Sequence, residues 1–216
     1  MTGASAAAPT RSAAWTRGAG GARLAPAERA RAAGALAARL LDWADRGLSA
    51  PALLLGGARG FVEWAHYPQP DALDADSGWR FYYHAHAASQ RLRDEHGHFH
   101  VFAPAPGGSF SHWIGVTLDR RGLPLRLFTT NRWVTDEQWR DAPQLAGKRP
   151  RLRGAEPREV GAWLEDLLCL YADEVASLQR ARDQRMRGRG LDDQRLRIPS
   201  QCRVNLVRRL RELGAA

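Results

Sequence analysis

The chain has 216 residues, of which 44% are hydrophobic and 25% are charged, and its formal net charge is +9. These proportions are ordinary for a globular protein with its own core, and they argue against a disordered chain. Cys169 and Cys202 are the only cysteines, which excludes a disulfide scaffold and a zinc cluster of thiolates. Because no apolar run approaches the roughly 20 residues of a membrane span, we expect a cytoplasmic protein without membrane contact.

The N-terminal part begins with residues 1–24, which are rich in alanine, glycine and arginine. We expect this segment to be disordered because it cannot bury enough apolar surface to order itself. A helix is predicted over 27–44, where apolar residues recur at helical spacing. A short apolar segment follows, and the next stretch, 61–66, is either a strand or the end of a helix. The proline and aspartate residues of 67–78 predict a loop.

Four strands are predicted in the middle of the chain from alternating apolar residues. They cover residues 79–85, 97–102, 110–118 and 123–129. Their short connections favour an antiparallel meander. A long helix with one apolar stripe is predicted over 157–178, and a last short helix over 202–213. The expected fold class is therefore α+β, a central antiparallel sheet flanked by N-terminal and C-terminal helices.

A single domain is predicted over 25–186, followed by a basic C-terminal segment, 187–216, that contains the last short helix. From Arg180 to Glu212, eleven arginines stand against four acidic residues. Such a segment can follow phosphates, but it lacks the interleaved aromatic residues that stack on bases. We therefore expect no specific recognition of nucleic acid. The sequence leaves the oligomeric state open.

All seven histidines lie between positions 66 and 112, and five of them alternate along two predicted strands. His84 and His86 belong to the first strand, and His96, His98 and His100 belong to the second. Because side chains alternate between the faces of a strand, these histidines are predicted to share one face of the sheet. The residues between them are apolar and are predicted to form the core face.

Converging imidazoles predict a site for one divalent transition metal, with His84, His86, His98 and His100 as ligands. An all-histidine site favours zinc or copper, and an added carboxylate such as Glu95 favours iron or manganese. The sequence does not distinguish among these four metals. The expected ligand besides the metal is a small-molecule substrate.

Four residues are candidates for catalytic roles: Tyr82, Glu95, His98 and Arg132. Tyr82 has the same parity as His84 and can donate a proton or orient a ligand. Arg132 follows a strand end and can clamp a carboxylate or a phosphate with its two-pronged guanidinium. An equally simple interpretation of that strand end is a capped turn.

Four phrases of the chain resemble an uncharacterised bacterial domain family. They are FVEWAHYP at 61–68, FYYHAH at 81–86, EHGHFH at 95–100 and LFTTNRWVT at 127–135. The resemblance covers about 55–180. It implies no activity, but it adds residues 128–135 to the histidines as a candidate functional segment.

The stretch HGHFHVF at 96–102 also resembles the histidine-triad motif of nucleotide hydrolases and transferases. That resemblance implies His98 as a nucleophile on phosphorus, with His96 and His100 in supporting roles. Gly97 stands where the motif is normally hydrophobic.

Three functions stay open on the sequence alone. The leading hypothesis is a metal-dependent enzyme, an oxidoreductase or a hydrolase, that acts on a small molecule at the histidine-lined face. The alternatives are a nucleotide hydrolase or transferase of the histidine-triad kind and a non-catalytic binding or regulatory protein. Histidines on an outer sheet face can also simply be solvated.

Overall fold

The structure is a computed structural model that describes residues 24–56 and 61–215. The helices are α1 (Pro26–Asp45), α2 (Ala50–Leu55), α3 (Ala142–Leu145), α4 (Arg158–Leu170), α5 (Ala172–Met186) and α6 (Leu206–Glu212). The strands are β1 (Tyr67–Leu73), β2 (Arg80–His84), β3 (Glu95–Pro104), β4 (Phe110–Asp119), β5 (Pro124–Thr129) and β6 (Ser200–Arg203). Apart from the buried Leu24, the segment that we expect to be disordered lies outside the described residues.

Within the described ranges the strands form one six-stranded sheet in chain order, and every neighbouring pair is antiparallel. The predicted α+β class and the antiparallel meander are therefore confirmed. The predicted strands over 79–85 and 97–102 are antiparallel neighbours, with Tyr82 opposite His100 and His84 opposite His98.

One face of the sheet packs against helices. Phe99 of β3 lies 5.9 Å from the ring of Trp163 in α4, and Trp163 in turn lies 6.1 Å from Trp43 in α1. Trp79 and Trp113 are also buried in this core. The four tryptophans are therefore core residues, and the sheet's opposite face is left to the connecting segments.

Three of the predicted elements are wrong. Residues 67–73 form strand β1 although they carry two prolines, which an edge strand tolerates because one of its sides makes no ladder hydrogen bonds. The long helix is two helices divided at Tyr171, since α4 packs on α1 whereas α5 packs on β5 and β6. The last helix begins at Leu206, and Cys202 instead pairs with Leu127 in strand β6.

The C-terminal segment is part of the same body as residues 25–186. Strand β6 is the sixth strand of the sheet, and Leu206 and Leu210 are buried in the main core. The stretch 61–66 is neither strand nor helix but an irregular segment with one turn at Glu63 and Trp64. Within 24–56 and 61–215, no helix is long and apolar enough to cross a membrane.

Candidate metal centre

The face of the sheet away from the helices carries His84, His98 and His100, and we call it the histidine face. A β-bulge at the start of β3 changes which of its side chains lie on this face, because the register with β4 shifts between Glu95 and Gly97. Glu95 therefore reaches the histidine face. His96 turns the other way and lies 2.7 Å, through its Nδ1, from the hydroxyl of Tyr83.

The expectation that His96 shares a face with His98 is thus wrong. The position of His96 on the other face also rules out the histidine-triad arrangement, because that motif needs its outer histidine beside the central one. Gly97 has a packing reason of its own: a Cβ there would lie 2.7 Å from the Tyr83 hydroxyl and 2.7 Å from the carbonyl oxygen of His84.

A second bulge brings His112 onto the histidine face, although simple alternation along β4 would place it on the core face with Ile114 and Val116. Phe102 pairs with His112 while Val101 pairs with Ile114, so Trp113 is the extra residue of β4. His112 consequently lies on the histidine face, with its Nε2 3.0 Å from Nδ1 of His100.

Three histidines come together as potential ligands of one ion. Ligand nitrogens of His84, His86 and His98 all lie within 4.8 Å of one another. The Nε2 atoms of His84 and His98 are 2.8 Å apart, and Nδ1 of His98 is 2.7 Å from Oε1 of Glu95. Because the Glu95 carboxylate accepts the proton of Nδ1, the Nε2 lone pair of His98 points toward the other two rings.

His100, the fourth predicted ligand, lies beside this group. Its ring centroid is 5.2 Å from that of His84 and 5.1 Å from that of His98. Its Nδ1 is the atom that faces His112, so His100 links the three-histidine group to the buried end of β4.

Burial keeps most of these imidazoles neutral. Burial and, to a smaller extent, the neighbouring His98 lower the pKa of His84 to about 2 and that of His86 to about 4. Burial also lowers the pKa of His112 to about 3 and that of His100 well below its usual value. Neutral imidazole is the form that binds metal, so these rings need to lose no proton first.

Glu95 stays ionised although it is buried. Burial raises its pKa, but the hydrogen bond with His98 and that from the backbone N–H of Leu92 outweigh this effect, and the net shift is downward. The guanidinium of Arg126, 3.7 Å from the carboxylate of Glu95, also lowers this pKa. A buried carboxylate held in this way fixes the tautomer and the orientation of His98.

The histidine face opens into a cavity of about 550 Å³, within the usual range for small-molecule sites. Besides Tyr82 and the histidines, five aromatic side chains belong to its walls: Trp64, Phe102, Phe110, Phe128 and Trp133. The ring of Trp64 stacks on His86 at 4.3 Å, and its backbone adopts a positive φ of 68°. A bulky residue in that conformation is uncommon and is typical of functional segments.

Tyr82 lies on the histidine face as predicted, between the ring of His66 at 3.7 Å and the ring of His84 at 5.2 Å. Burial raises the pKa of its phenol above the usual range, so the hydroxyl stays protonated and can donate a hydrogen bond into the cavity.

The structure places Arg132 away from the histidines. Residues Arg132–Val134 form a 3₁₀ turn directly after β5, and the guanidinium pairs with Asp192 near the surface. Trp133 and Thr135 of the same segment line the cavity instead. Segment 128–135 therefore contributes to the site, but not through the arginine that the sequence favours.

Sequence reasoning missed Glu137 as well. Its carboxyl is buried and accepts a hydrogen bond from the backbone N–H of His112. Burial raises the pKa of Glu137 to about 8. A single glutamate in the polar stretch 135–138 gives no periodic signal from which this position could have been inferred.

The fold and the site together define an α+β protein with a buried histidine cluster, able to hold a metal, on one wall of a sheet cavity. Residues 30–204 match a family described as a domain of unknown function, DUF6969, and the chain belongs to that family. This confirms the resemblance to an uncharacterised family. No curated protein and no solved structure is significantly similar to the chain.

Proposed function

We propose that the protein binds one divalent transition metal through His84, His86 and His98 and uses it as an enzyme on a small molecule in the adjoining cavity. The observation that carries this proposal is the alignment of His98 between the Glu95 carboxylate, at 2.7 Å, and Nε2 of His84, at 2.8 Å. Carboxylate–histidine pairs of this kind are the usual support of histidine ligands to metals.

The donor set favours zinc or copper among the four metals considered. The three-residue group offers imidazole nitrogens alone, whereas Glu95 is engaged with Nδ1 of His98. Three protein ligands are typical of catalytic centres, which keep a coordination position for water or substrate. A metal bound here supplies Lewis acidity next to the cavity.

Tyr82 and the aromatic walls support catalysis rather than metal storage. The protonated Tyr82 hydroxyl is a hydrogen-bond donor on the same face as His84, in a cavity large enough for a small molecule. A storage site needs neither an aromatic cavity nor a proton donor beside its ligands.

The test is elemental analysis of the full chain, purified without a histidine tag and then titrated with Zn²⁺ or Cu²⁺. We expect one tightly bound ion per chain, and we expect His84→Ala, His86→Ala and His98→Ala each to lose most of it. His96→Gln is the matched control, because His96 belongs to the same motif but faces away from the site. Equal metal contents in His98→Ala and wild type would contradict the proposal.

A further inference from the structure

Three arginines line the cavity: Arg80, Arg126 and Arg197. Arg126 is already engaged within the protein. Its guanidinium donates to Oε1 of Gln201 at 2.7 Å and to Oγ1 of Thr117 at 3.1 Å, and it lies 3.7 Å from the Glu95 carboxylate. The guanidinium of Arg126 is therefore held by these residues beside Glu95 and is not available to a ligand.

Arg80 has no such partner among residues 24–56 and 61–215. It is half-buried on β2, and no salt bridge or side-chain hydrogen bond of the described residues includes it. Its Nε is fully buried without an acceptor, and its guanidinium lies 4.9 Å from the centre of the Phe110 ring. The two terminal nitrogens of the guanidinium make no hydrogen bond within the described residues either and, unlike Nε, are not buried, so their N–H groups are free to donate to a ligand.

None of the carboxylates that line the cavity forms a salt bridge with Arg80. Asp71 pairs with Nδ1 of His66 at 3.0 Å, and Glu95 is held by His98. Asp136 is exposed at the edge of the cavity. Arg197, 5.5 Å from the ring of Trp133, is a second cavity arginine that takes part in no salt bridge within the described ranges. Arg80 and Arg197 are thus the two cavity arginines that no carboxylate of the described residues pairs with.

Aromatic rings define the space in front of Arg80. Phe102 and Phe110 lie 5.1 Å apart, edge to face, and both line the cavity beside the arginine. Arg80 and His84 stand four residues apart on one face of β2, which is about 13 Å of strand. A molecule held at Arg80 can therefore extend along the rings toward the histidines.

We infer that the substrate is a small carboxylic acid with a flat apolar body, whose carboxylate is bound by Arg80 while its ring packs on Phe102 and Phe110. The inference rests on the proposed function for the reacting end of the molecule, which lies toward His84. Arg80 presents two parallel N–H groups to a carboxylate, a geometry that a neutral amide cannot match. Binding at the Arg80 end does not itself need the metal.

The test is titration calorimetry of the full chain with benzoate and with benzamide, its neutral isostere, on zinc-loaded and on chelator-treated protein. We expect benzoate to bind both forms, and benzamide to bind at least tenfold more weakly, because the charge-assisted pair is lost. Arg80→Gln should weaken benzoate binding about tenfold to a hundredfold. Arg80→Lys should fall between wild type and Arg80→Gln.

Arg180→Gln is the control for net charge, since Arg180 is exposed on α5, which packs on the sheet's apolar side; its benzoate affinity should equal that of wild type. Equal binding of benzoate and benzamide, or unchanged binding in both Arg80 variants, would overturn the inference. If chelator treatment abolishes benzoate binding but Arg80→Gln does not, the carboxylate binds to the ion, and the inference is also overturned. If the protein binds neither Zn²⁺ nor Cu²⁺ but still binds benzoate in a way that depends on Arg80, only the metal proposal is overturned.

Discussion

At the scale of single residues, the centre depends on which nitrogen of His98 is free. Glu95 holds Nδ1, so Nε2 faces His84 and His86. His84 contributes Nε2 to the same contact, while its own Nδ1 is buried without a hydrogen-bond partner. The two histidines are therefore not equivalent: one is oriented by a carboxylate, and the other is oriented by packing between Tyr82 and His86.

Glu95→Gln should weaken metal binding about tenfold to a hundredfold without removing the ligands, because an amide orients His98 less firmly and adds less basicity to its ring. Competition between the protein and a fluorescent chelator measures this affinity. Glu63→Gln is the matched control, since Glu63 is an exposed acid whose partner is Arg91. An unchanged affinity in Glu95→Gln would show that the carboxylate has no part in the centre.

The sequence predicted the shared face of Tyr82, His84, His98 and His100 because two-residue alternation holds along the regular parts of β2 and β3. It failed for His96 and His112 because each lies at a bulge, where one extra residue reverses the alternation. A bulge has no periodic signature, so only the paired strand reveals which side chain it turns.

At the scale of elements, the close approach of β2 and β3 depends on glycine. The hydroxyl of Tyr83 and the carbonyl oxygen of His84 fill the space where a side chain of Gly97 would begin. Gly115 of β4 makes room on the histidine face instead: the ring of Phe128 from β5 lies over it and packs 5.5 Å from His98. The strands therefore bring their histidines together through two positions that carry no side chain.

Gly97→Ala should destabilise the protein by about 1–3 kcal/mol, because the added methyl group meets backbone as well as the Tyr83 ring. Gly34→Ala is the contrasting substitution: Gly34 is inside α1 with open space around it, and alanine there should add about 0.5–1 kcal/mol. Urea unfolding of both variants, with chelator present, measures the two effects. Equal stabilities would mean that β2 can move away from β3 freely.

Elements were predictable where their own residues determine them. The strands β2 to β5 and the helices α1 and α4 carry clear periodic patterns, and the structure has them. The two edge strands have no such pattern, since β1 contains two prolines and β6 has only four residues. Their strand conformation comes from the neighbour with which each pairs, and one sequence does not show that neighbour.

At the scale of the whole molecule, the excess positive charge lies mainly in the C-terminal part, where residues 180–212 carry eleven arginines against four acidic residues. Several arginines of the C-terminal part are paired, as in Arg209 with Glu174 and Arg195 with Asp193. Pairing reduces the charge available to phosphates. The absence of specific nucleic-acid recognition stays a prediction, consistent with these contacts.

The buried histidines should make the metal-free protein sensitive to acid. The folded-state pKa of His112, about 3, lies below its unfolded value near 6.5, so this group stabilises the fold above pH 6.5 and loses that contribution as the pH falls. One such histidine changes the free energy of unfolding by at most about 2 kcal/mol between pH 7 and pH 5. His112→Gln should lose that part of the pH dependence in urea unfolding. His66→Gln, at a half-exposed ring, is the control.

Glu137 should act in the opposite direction at higher pH. Its folded-state pKa of about 8 lies above the unfolded value near 4.5, so the protonated carboxyl stabilises the fold at low pH, and this contribution is lost as the pH rises through 8.

With several buried histidines acting on the acid side, the stability of the metal-free chain should be highest near pH 6.5. Glu137→Gln should remove most of the fall in urea midpoint between pH 6.5 and pH 8.5, because the amide keeps an acceptor for the N–H of His112 without carrying a charge. A fall of the same size in this variant would assign the alkaline loss to other groups.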